Sequence, residues 1–167
     1  MWDEIRKHFI GLPAQLKVAK LIFRKGFQVR EDGRVVTNRI EIAHTQIATE
    51  AGVERRAVDN TIRTILKNPQ LKRIYTNLRQ VCSLIDVARE FGLNIIIFTP
   101  ENAKEPGIIA DVTRMVAEKG LCIRQAFADD PDMEQKPKLT LIIEGEIPPE
   151  LVNELKSLPG TYSITFY

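Results

Sequence analysis

The pattern of apolar and polar residues divides the chain into a mainly helical first part and a second part in which strands and helices alternate. Apolar residues recur at intervals of three and four along residues 2–9 and 13–25, which predicts two helices. Residues 27–36 are typical of a hairpin around Asp32-Gly33, because this dipeptide tolerates the positive φ of a tight turn. Residues 71–78 are compatible with one more strand, but no partner strand for it is visible.

Residues 43–67 predict two helices joined by a tight corner. Thr45 is expected to cap the first helix. Gly52 is expected to end it, because helices commonly end at a residue in the left-handed conformation. Val53 then fills the corner, and the second helix begins at about Glu54.

The second of these helices has two opposite faces. At 100° per residue its apolar residues fall within about 60° of one another, and its cationic and amide residues fall on the opposite side. The apolar stripe consists of Val58, Ile62 and Ile65, and the polar stripe of Arg56, Asn60, Arg63 and Lys67. The pattern therefore predicts a buried face and an exposed, hydrogen-bonding face.

The order of small and apolar residues in this region resembles that of the DNA-binding helix-turn-helix. The matching positions are Ile47, Ala48, Ala51, Gly52, Val53, Ala57 and Val58. The resemblance implies that the second helix is a recognition helix, in which arginine can bind guanine and asparagine can bind adenine. The residues expected at a DNA interface are Thr45, Gln46, Arg55, Arg56, Asn60, Arg63 and Lys67.

Other interpretations of this region stay open. A charged helix face is usually just solvated, and helix-turn-helix units also bind proteins. Glu54 and Asp59 lie on the same helix and would repel phosphate. The hairpin also precedes the two helices, whereas the wing of a winged helix follows them, so no wing is assigned.

From residue 93 onward, short apolar strands alternate with amphipathic helices. The predicted strands cover residues 94–99, 121–128, 139–144 and 161–166. One predicted helix begins near Ile108 and ends at Gly120, and the other follows Pro148 and Pro149. The order βαββαβ within 75 residues predicts an antiparallel sheet with both helices on one face, which is the ferredoxin-like arrangement.

A loop and a strand of this second part resemble the ACT domain, a small-molecule sensor of amino-acid metabolism. The loop reads TPENAKEPGII at residues 99–109, and the later segment reads EKGLCIRQ at residues 118–125. Gly107 would let a ligand approach the backbone, and free N–H groups at a helix start favour a carboxylate.

In ACT domains the ligand, typically an amino acid, commonly lies where two domains meet. The resemblance implies a ligand site formed by Glu101, Asn102, Glu105, Pro106, Gly107, Ile108, Ile109, Ile123, Arg124 and Gln125. Among these, the two glutamates and the asparagine are the candidates for a ligand ammonium group. The alternative is that Pro106-Gly107 only ends a loop, and many ACT domains bind no detectable ligand.

The pairing of the two parts resembles the archaeal-type predicted regulators of amino-acid metabolism that contain an ACT domain. We expect an α+β protein with a helix-turn-helix DNA-binding domain at residues 1–80 and an ACT ligand-sensing domain at residues 93–167. Residues 81–92 are expected to form a linker helix, because Ser83 and Asp86 have the spacing of a capping box.

The charge distribution agrees with two parts that have different partners. Residues 1–80 contain 16 Lys and Arg against 8 Asp and Glu, whereas residues 81–167 contain 8 against 14. A basic part is suited to a polyanion. A composition of 44% hydrophobic and 28% charged residues excludes collagen-like and disordered classes. With no signal sequence and no apolar run near the ~20 residues of a membrane helix, we expect a cytoplasmic protein that binds no membrane.

Catalytic chemistry has little support in the sequence. His8 and His44 lie in different elements, and neither has a Cys or Ser at the spacing of a triad. Cys122 is expected to be a small buried residue rather than a nucleophile. The acidic run from Asp130 to Glu134 lacks the glycine and the distal glutamate of a calcium loop. We therefore expect no enzyme, no catalytic residue, no metal and no cofactor.

The function expected from the sequence is transcriptional regulation of amino-acid metabolism. The expected partners are duplex DNA, an effector that is an amino acid, and a second copy of the chain paired through the ACT domain. The alternative is a regulatory subunit that binds no DNA and controls an amino-acid biosynthetic enzyme. A third interpretation makes the second part a dimerisation module without a ligand.

Overall fold

Helices and two antiparallel sheets make up the structure, a computed structural model that describes all residues from Met1 to Tyr167. The protein is therefore of the mixed α+β class, as predicted. The chain divides into two compact units, Met1–Cys82 and Ser83–Tyr167. No helix combines the length and the apolar composition that crossing a membrane requires.

The first unit contains α-helices and a small sheet with the strand order β1-β2-β3. Its elements are α1 (Trp2–Arg6), a 3-10 turn (Lys7–Phe9), α2 (Pro13–Arg24), β1 (Gln28–Val29), β2 (Val35–Thr37), β3 (Ile40–Ile42), α3 (His44–Ala51), α4 (Arg55–Lys67) and α5 (Pro69–Tyr75). The predicted helices and the hairpin around Asp32-Gly33 are confirmed.

The third strand of this sheet was not predicted from the apolar pattern. It pairs with β2 across a two-residue turn in which Thr37 lies opposite Ile40. Asn38 in this turn has a φ of 54°. Asparagine adopts this left-handed conformation more readily than most residues, so the turn forms without glycine.

The strand considered over residues 71–78 is wrong, because the chain forms helix α5 there. The side chain of Asn68 accepts hydrogen bonds from the backbone N–H groups of Gln70 and Leu71 at 2.9 and 3.0 Å. Pro69 occupies the first turn, where its missing N–H is not needed. Leu71 and Tyr75 then lie one turn apart and are both fully buried. The cap and the i,i+4 apolar pair together stabilise a helix rather than a strand.

Tyr75 anchors α5 to α2 in the core of the first unit. Its hydroxyl donates a hydrogen bond to the carbonyl oxygen of Ala19 at 3.1 Å. Its ring lies edge-on to Phe23, with the two centroids 6.3 Å apart. Burial raises the pKa of the Tyr75 phenol, because the phenolate would lose its hydration.

Raising the pH above about 10 is expected to destabilise the protein through Tyr75. In the unfolded chain tyrosine ionises near pH ~10, whereas in the folded protein its pKa is higher. The folded state therefore binds the extra proton, and stability present below this pH is lost as pH rises. Urea unfolding of the wild type and of Tyr75→Phe checks this.

The variant should be less stable by about 1 kcal/mol at neutral pH, because it lacks the hydrogen bond to Ala19. It should also lose less stability between about pH 9 and about pH 11 than the wild type. Equal alkaline losses in the two proteins would contradict the assignment.

The second unit has the element order βαββαβ that the sequence predicts. After a 3-10 helix (Ile85–Phe91), its elements are β4 (Leu93–Pro100), α6 (Ile108–Glu118), β5 (Cys122–Ala128), β6 (Leu139–Glu144), α7 (Pro149–Ser157) and β7 (Thr161–Phe166). The strands are all antiparallel in the order β5-β6-β4-β7. Helices α6 and α7 contribute buried residues to one core together with the sheet, namely Val112, Val116, Leu151 and Leu155.

The 3-10 helix packs against the sheet through a second, smaller hydrophobic cluster. Ala88 is fully buried against Ile95 and Ile142, and Leu84 packs at the edge of this group. The segment predicted as a linker helix therefore packs within the second unit. The capping box predicted for it does not form, because Leu84 occupies the cap position and no side chain caps the helix. The Ser83 hydroxyl instead accepts from the Ile85 N–H at 3.3 Å.

Candidate nucleic-acid interface and candidate ligand cleft

Helices α3 and α4 meet at the tight corner that the sequence predicts. Gly52 ends α3 with φ 63° and ψ 44°, in the left-handed conformation. The Gly52 N–H donates to the carbonyl of Thr49 at 3.2 Å, and the Val53 N–H donates to that of Ala48 at 3.0 Å. These bonds satisfy carbonyl groups that a helix end leaves open. The corner therefore fixes the direction in which α4 leaves α3.

The start of α3 differs from the prediction, because Thr45 does not cap it. The helix begins at His44, and Ala43 occupies the cap position in an extended conformation. The Gln46 side chain reaches back and accepts a hydrogen bond from the Ala43 N–H at 3.3 Å. Glutamine at this third position supplies one half of a capping box. Thr45 and Gln46 are both exposed, so they stay candidates for DNA contact.

Helix α4 has the two faces that its sequence predicts. Val58, Ile62 and Ile65 are buried in the first unit. Thr61 is buried with them, and its hydroxyl donates to the carbonyl of Ala57 at 2.7 Å, which satisfies it within the helix. The opposite face is exposed and carries Arg56, Asn60, Arg63 and Lys67. Arg55 is also exposed, but it lies at the start of the helix on the side of Asp59.

The exposed face is held by weak, surface-accessible contacts. The Arg63 guanidinium donates to the Asn60 side-chain oxygen at 2.9 Å. Arg56 lies 2.6 Å from a Glu54 carboxylate oxygen, with the side chains 82% and 71% exposed. Such exposed pairs contribute only about 0–1 kcal/mol. A phosphate could therefore replace Glu54 as the partner of Arg56 with little loss of stability.

Asp59, the acidic residue within α4, pairs with His44 and Arg55. Asp59 lies 2.6 Å from Nδ1 of His44 and 3.8 Å from the Arg55 guanidinium. The other ring nitrogen of His44 lies 3.2 Å from the carbonyl oxygen of Gly33 at the hairpin tip. One imidazole thus joins α3, α4 and the hairpin. This contact could not be predicted from the sequence, because Gly33 and Asp59 lie 11 and 15 residues from His44 and form no local motif with it.

The second unit contains a cleft of about 520 Å³ at the loop between β4 and α6. Its walls are Pro100, Ala103, residues 105–110, Ala128 at the end of β5 with Asp129 after it, and residues 137–139. Five of the residues predicted for the ligand site line it, namely Glu105, Pro106, Gly107, Ile108 and Ile109.

The other residues predicted for the ligand site lie elsewhere in the second unit. Glu101 and Asn102 belong to the same loop but do not line the cleft, and the Asn102 side chain accepts from the Lys104 N–H at 3.1 Å. Ile123 packs against the core. Arg124 pairs with Glu144 at 3.2 Å, and Gln125 accepts from the Leu84 N–H at 2.9 Å. In one copy of the chain these three do not join the loop.

The cleft combines apolar walls with a few charged groups. Glu105 and Asp129 bring carboxylates, and Lys138 brings an ammonium group. Gly107 caps α6 with a φ of 98°, and the first N–H groups of a helix have no partner within it. Lys138 was not predicted from the sequence. It reaches the cleft because β5 pairs with β6, with Ala128 opposite Leu139, and this pairing is not visible in the sequence. The arrangement can hold a small molecule that carries both charges.

Cys122 is exposed, so the prediction that it is buried is wrong. It begins β5, an outer strand whose residues alternate between exposed and half-buried positions. No group of three or more His, Cys, Asp or Glu side chains is placed to hold a metal ion.

A comparison of the chain with protein-family models and with curated proteins finds no significant match in either.

Proposed function

We propose that the protein is a transcription regulator that binds duplex DNA through a helix-turn-helix and an amino acid through an ACT-like second unit. The observation that carries the proposal is the pair of opposite faces on α4. One face is buried, and the other presents two arginines, an asparagine and a lysine to solvent.

The dimensions and the charge of α4 suit a DNA groove. Its 13 residues extend about 20 Å, and the major groove, ~12 Å wide, admits an α-helix. Arginine and asparagine can each bind a base edge with two hydrogen bonds. The excess of cations over residues 1–80 supplies the attraction to phosphate on which binding of any sequence depends.

The cleft of the second unit supports the amino-acid part of the proposal. A ligand carboxylate would bind at the start of α6 and near Lys138, and a ligand ammonium group would bind Glu105 or Asp129. The apolar walls formed by Pro106, Ile108 and Ile109 would take an aliphatic side chain. A volume of about 520 Å³ is within the usual range for small-molecule sites.

The open edges of the second sheet support self-association. Strands β5 and β7 are the outermost strands, and an outer strand has backbone groups that can pair with another copy. We expect sedimentation at micromolar concentrations to give a dimer. Monomer alone, with and without amino acids, would contradict this part of the proposal.

Two measurements on the intact protein test the function. Retention on mixed-sequence duplex DNA should weaken steeply as salt rises, because bound cations are released from phosphate. A thermal-shift screen of the twenty amino acids should find a ligand, since one present at 100 times its Kd adds about 2.7 kcal/mol. Copurification with a biosynthetic enzyme and no DNA affinity would instead support a regulatory subunit.

A further inference from the structure

Two clefts of the first unit meet at Lys17 on the outer side of α2. The first, about 570 Å³, lies between the start of α2 and the corner before α4, and it includes Arg56 and Asn60. The second, about 500 Å³, continues along α2 beside the end of α3 and includes Glu50. Three cations of α2 and the lysine directly after it line this path. We call these four residues the α2 ridge: Lys17, Lys20, Arg24 and Lys25.

The spacing of α2 places three cations of the ridge opposite the buried side of the helix. At 100° per residue, Lys17, Lys20 and Arg24 fall within about 60° of one another. The buried residues Val18, Ala19 and Ile22 have their centre almost diametrically opposite. Because Val18, Ala19 and Ile22 pack into the core, these three cations lie on the outer side of α2.

Two cations of the ridge, Lys17 and Lys25, carry positive charge that no neighbouring carboxylate neutralises. Residues 5–30 contain no Asp or Glu. Lys17 and Lys25 have no carboxylate oxygen within 4.0 Å, whereas Lys7 of the same unit lies 2.6 Å from Glu4. Like charges three or four residues apart destabilise a helix. A polyanion lying on the ridge would remove that repulsion.

We propose that the α2 ridge binds backbone phosphates of the same duplex whose bases α4 contacts, an inference that rests on the proposed function. The first cleft makes the surface continuous, because Lys17, Arg56 and Asn60 line it together. From Lys17 to Lys25 the chain advances about 12 Å, which is long enough to contact more than one phosphate of a strand. The ridge positions the protein on the backbone and reads no sequence.

The test measures DNA affinity of the intact chain as a function of salt, with Lys17→Ala and Lys25→Ala combined in one variant. The probes are two unrelated duplexes of about 30 base pairs, roughly three helical turns. The slope of log affinity against log salt should fall by about 1.8, or ~0.9 for each lost contact. Affinity should fall by on the order of 10- to 100-fold at 0.1 M salt, by a similar factor on both duplexes.

The matched control combines Arg39→Ala with Lys156→Ala, which removes the same charge at exposed positions outside both clefts. Thermal unfolding verifies that each variant is folded. If the ridge variant keeps the wild-type salt slope while DNA binding still depends on Arg56 and Arg63, the ridge proposal is wrong. The proposed function then still stands. A wild type that binds neither duplex overturns both. A slope that falls equally in the control shows a general charge effect and also overturns the ridge.

Discussion

Replacing Arg56 and Arg63 with alanine is expected to abolish retention of the protein on duplex DNA at low salt. Both side chains lie on the exposed face of α4, on the side opposite Val58 and Ile62. Each loses a phosphate contact, worth about 0.9 in salt slope, or a bidentate base contact, worth about 1–3 kcal/mol. Two such losses together correspond to a decrease in affinity of roughly 30-fold to more than 10⁴-fold.

The stability of this variant should change little, because neither arginine contributes to the core. Arg56 gives up one exposed ion pair with Glu54, and Arg63 gives up one exposed hydrogen bond with Asn60. The melting temperature therefore separates loss of binding from loss of fold. Arg39→Ala combined with Arg73→Ala is the matched control, because both are exposed arginines of the first unit outside α4. If DNA affinity changes neither with salt concentration nor with the α4 substitutions, α4 is not part of the DNA interface.

The corner and the faces of α4 could be predicted because their causes are local in sequence. Glycine at position 52 permits the left-handed conformation that ends α3, and residues three and four apart share a face of a helix. The strands of the second unit are predictable for the same reason. β6 and β7 have the predicted bounds because they are short apolar runs between turns.

Other features depend on contacts between distant residues and could not be predicted. A Cβ at Gly26, the residue after Lys25, would lie 2.5 Å from the carbonyl oxygen of Arg79. The chain after α5 thus passes against the backbone of Gly26, and no local pattern indicates this approach. The exposure of Cys122 likewise follows from the position of β5 at the sheet edge. Strand order is set by pairing across the whole unit, which residue periodicity does not reveal.

The ligand site shows the same division between local and distant signals. The loop up to Ile109 was found because Pro106-Gly107 at a helix start is a local pattern. Asp129 and Lys138 enter the cleft from the ends of β5 and β6, and the sequence gives no reason to connect them with the loop. Their mutual backbone hydrogen bond, from the Asp129 N–H to the Lys138 carbonyl at 2.9 Å, keeps the two charges together.

The glycine at the start of α6 is a poor position at which to test ligand binding. A Cβ at Gly107 would have space, since its nearest neighbour is an Asp111 oxygen 3.8 Å away. Its φ of 98°, however, strains any other residue by about 1–3 kcal/mol. A Gly107→Val variant would therefore combine loss of the ligand approach with distortion of the helix start. Glu105→Gln changes the charge in the cleft and almost nothing else, so it is the sharper variant.

At an amino-acid concentration near the wild-type Kd, Glu105→Gln is expected to remove most of the effect of the amino acid on DNA binding. DNA binding without the amino acid should stay unchanged. Typical coupling energies of 1–3 kcal/mol predict that the ligand found by thermal shift changes wild-type DNA affinity by roughly 5- to 150-fold. Linkage requires DNA to change the ligand affinity by the same factor, so measuring both directions provides an internal check. The variant loses a charged partner for the ligand ammonium group, and its ligand affinity should fall by about 1.5–3 kcal/mol.

Glu101→Gln is the matched control for this experiment, since Glu101 lies in the same exposed loop but outside the cleft. It should retain both ligand affinity and coupling. Equal losses in the two variants would mean that the loop's overall charge, rather than the cleft, attracts the ligand. A ligand that binds the wild type tightly yet changes its DNA affinity less than about twofold would separate sensing from DNA binding. The amino acid would then have to act on another target, and a biosynthetic enzyme regulated by this chain becomes the better explanation of the cleft.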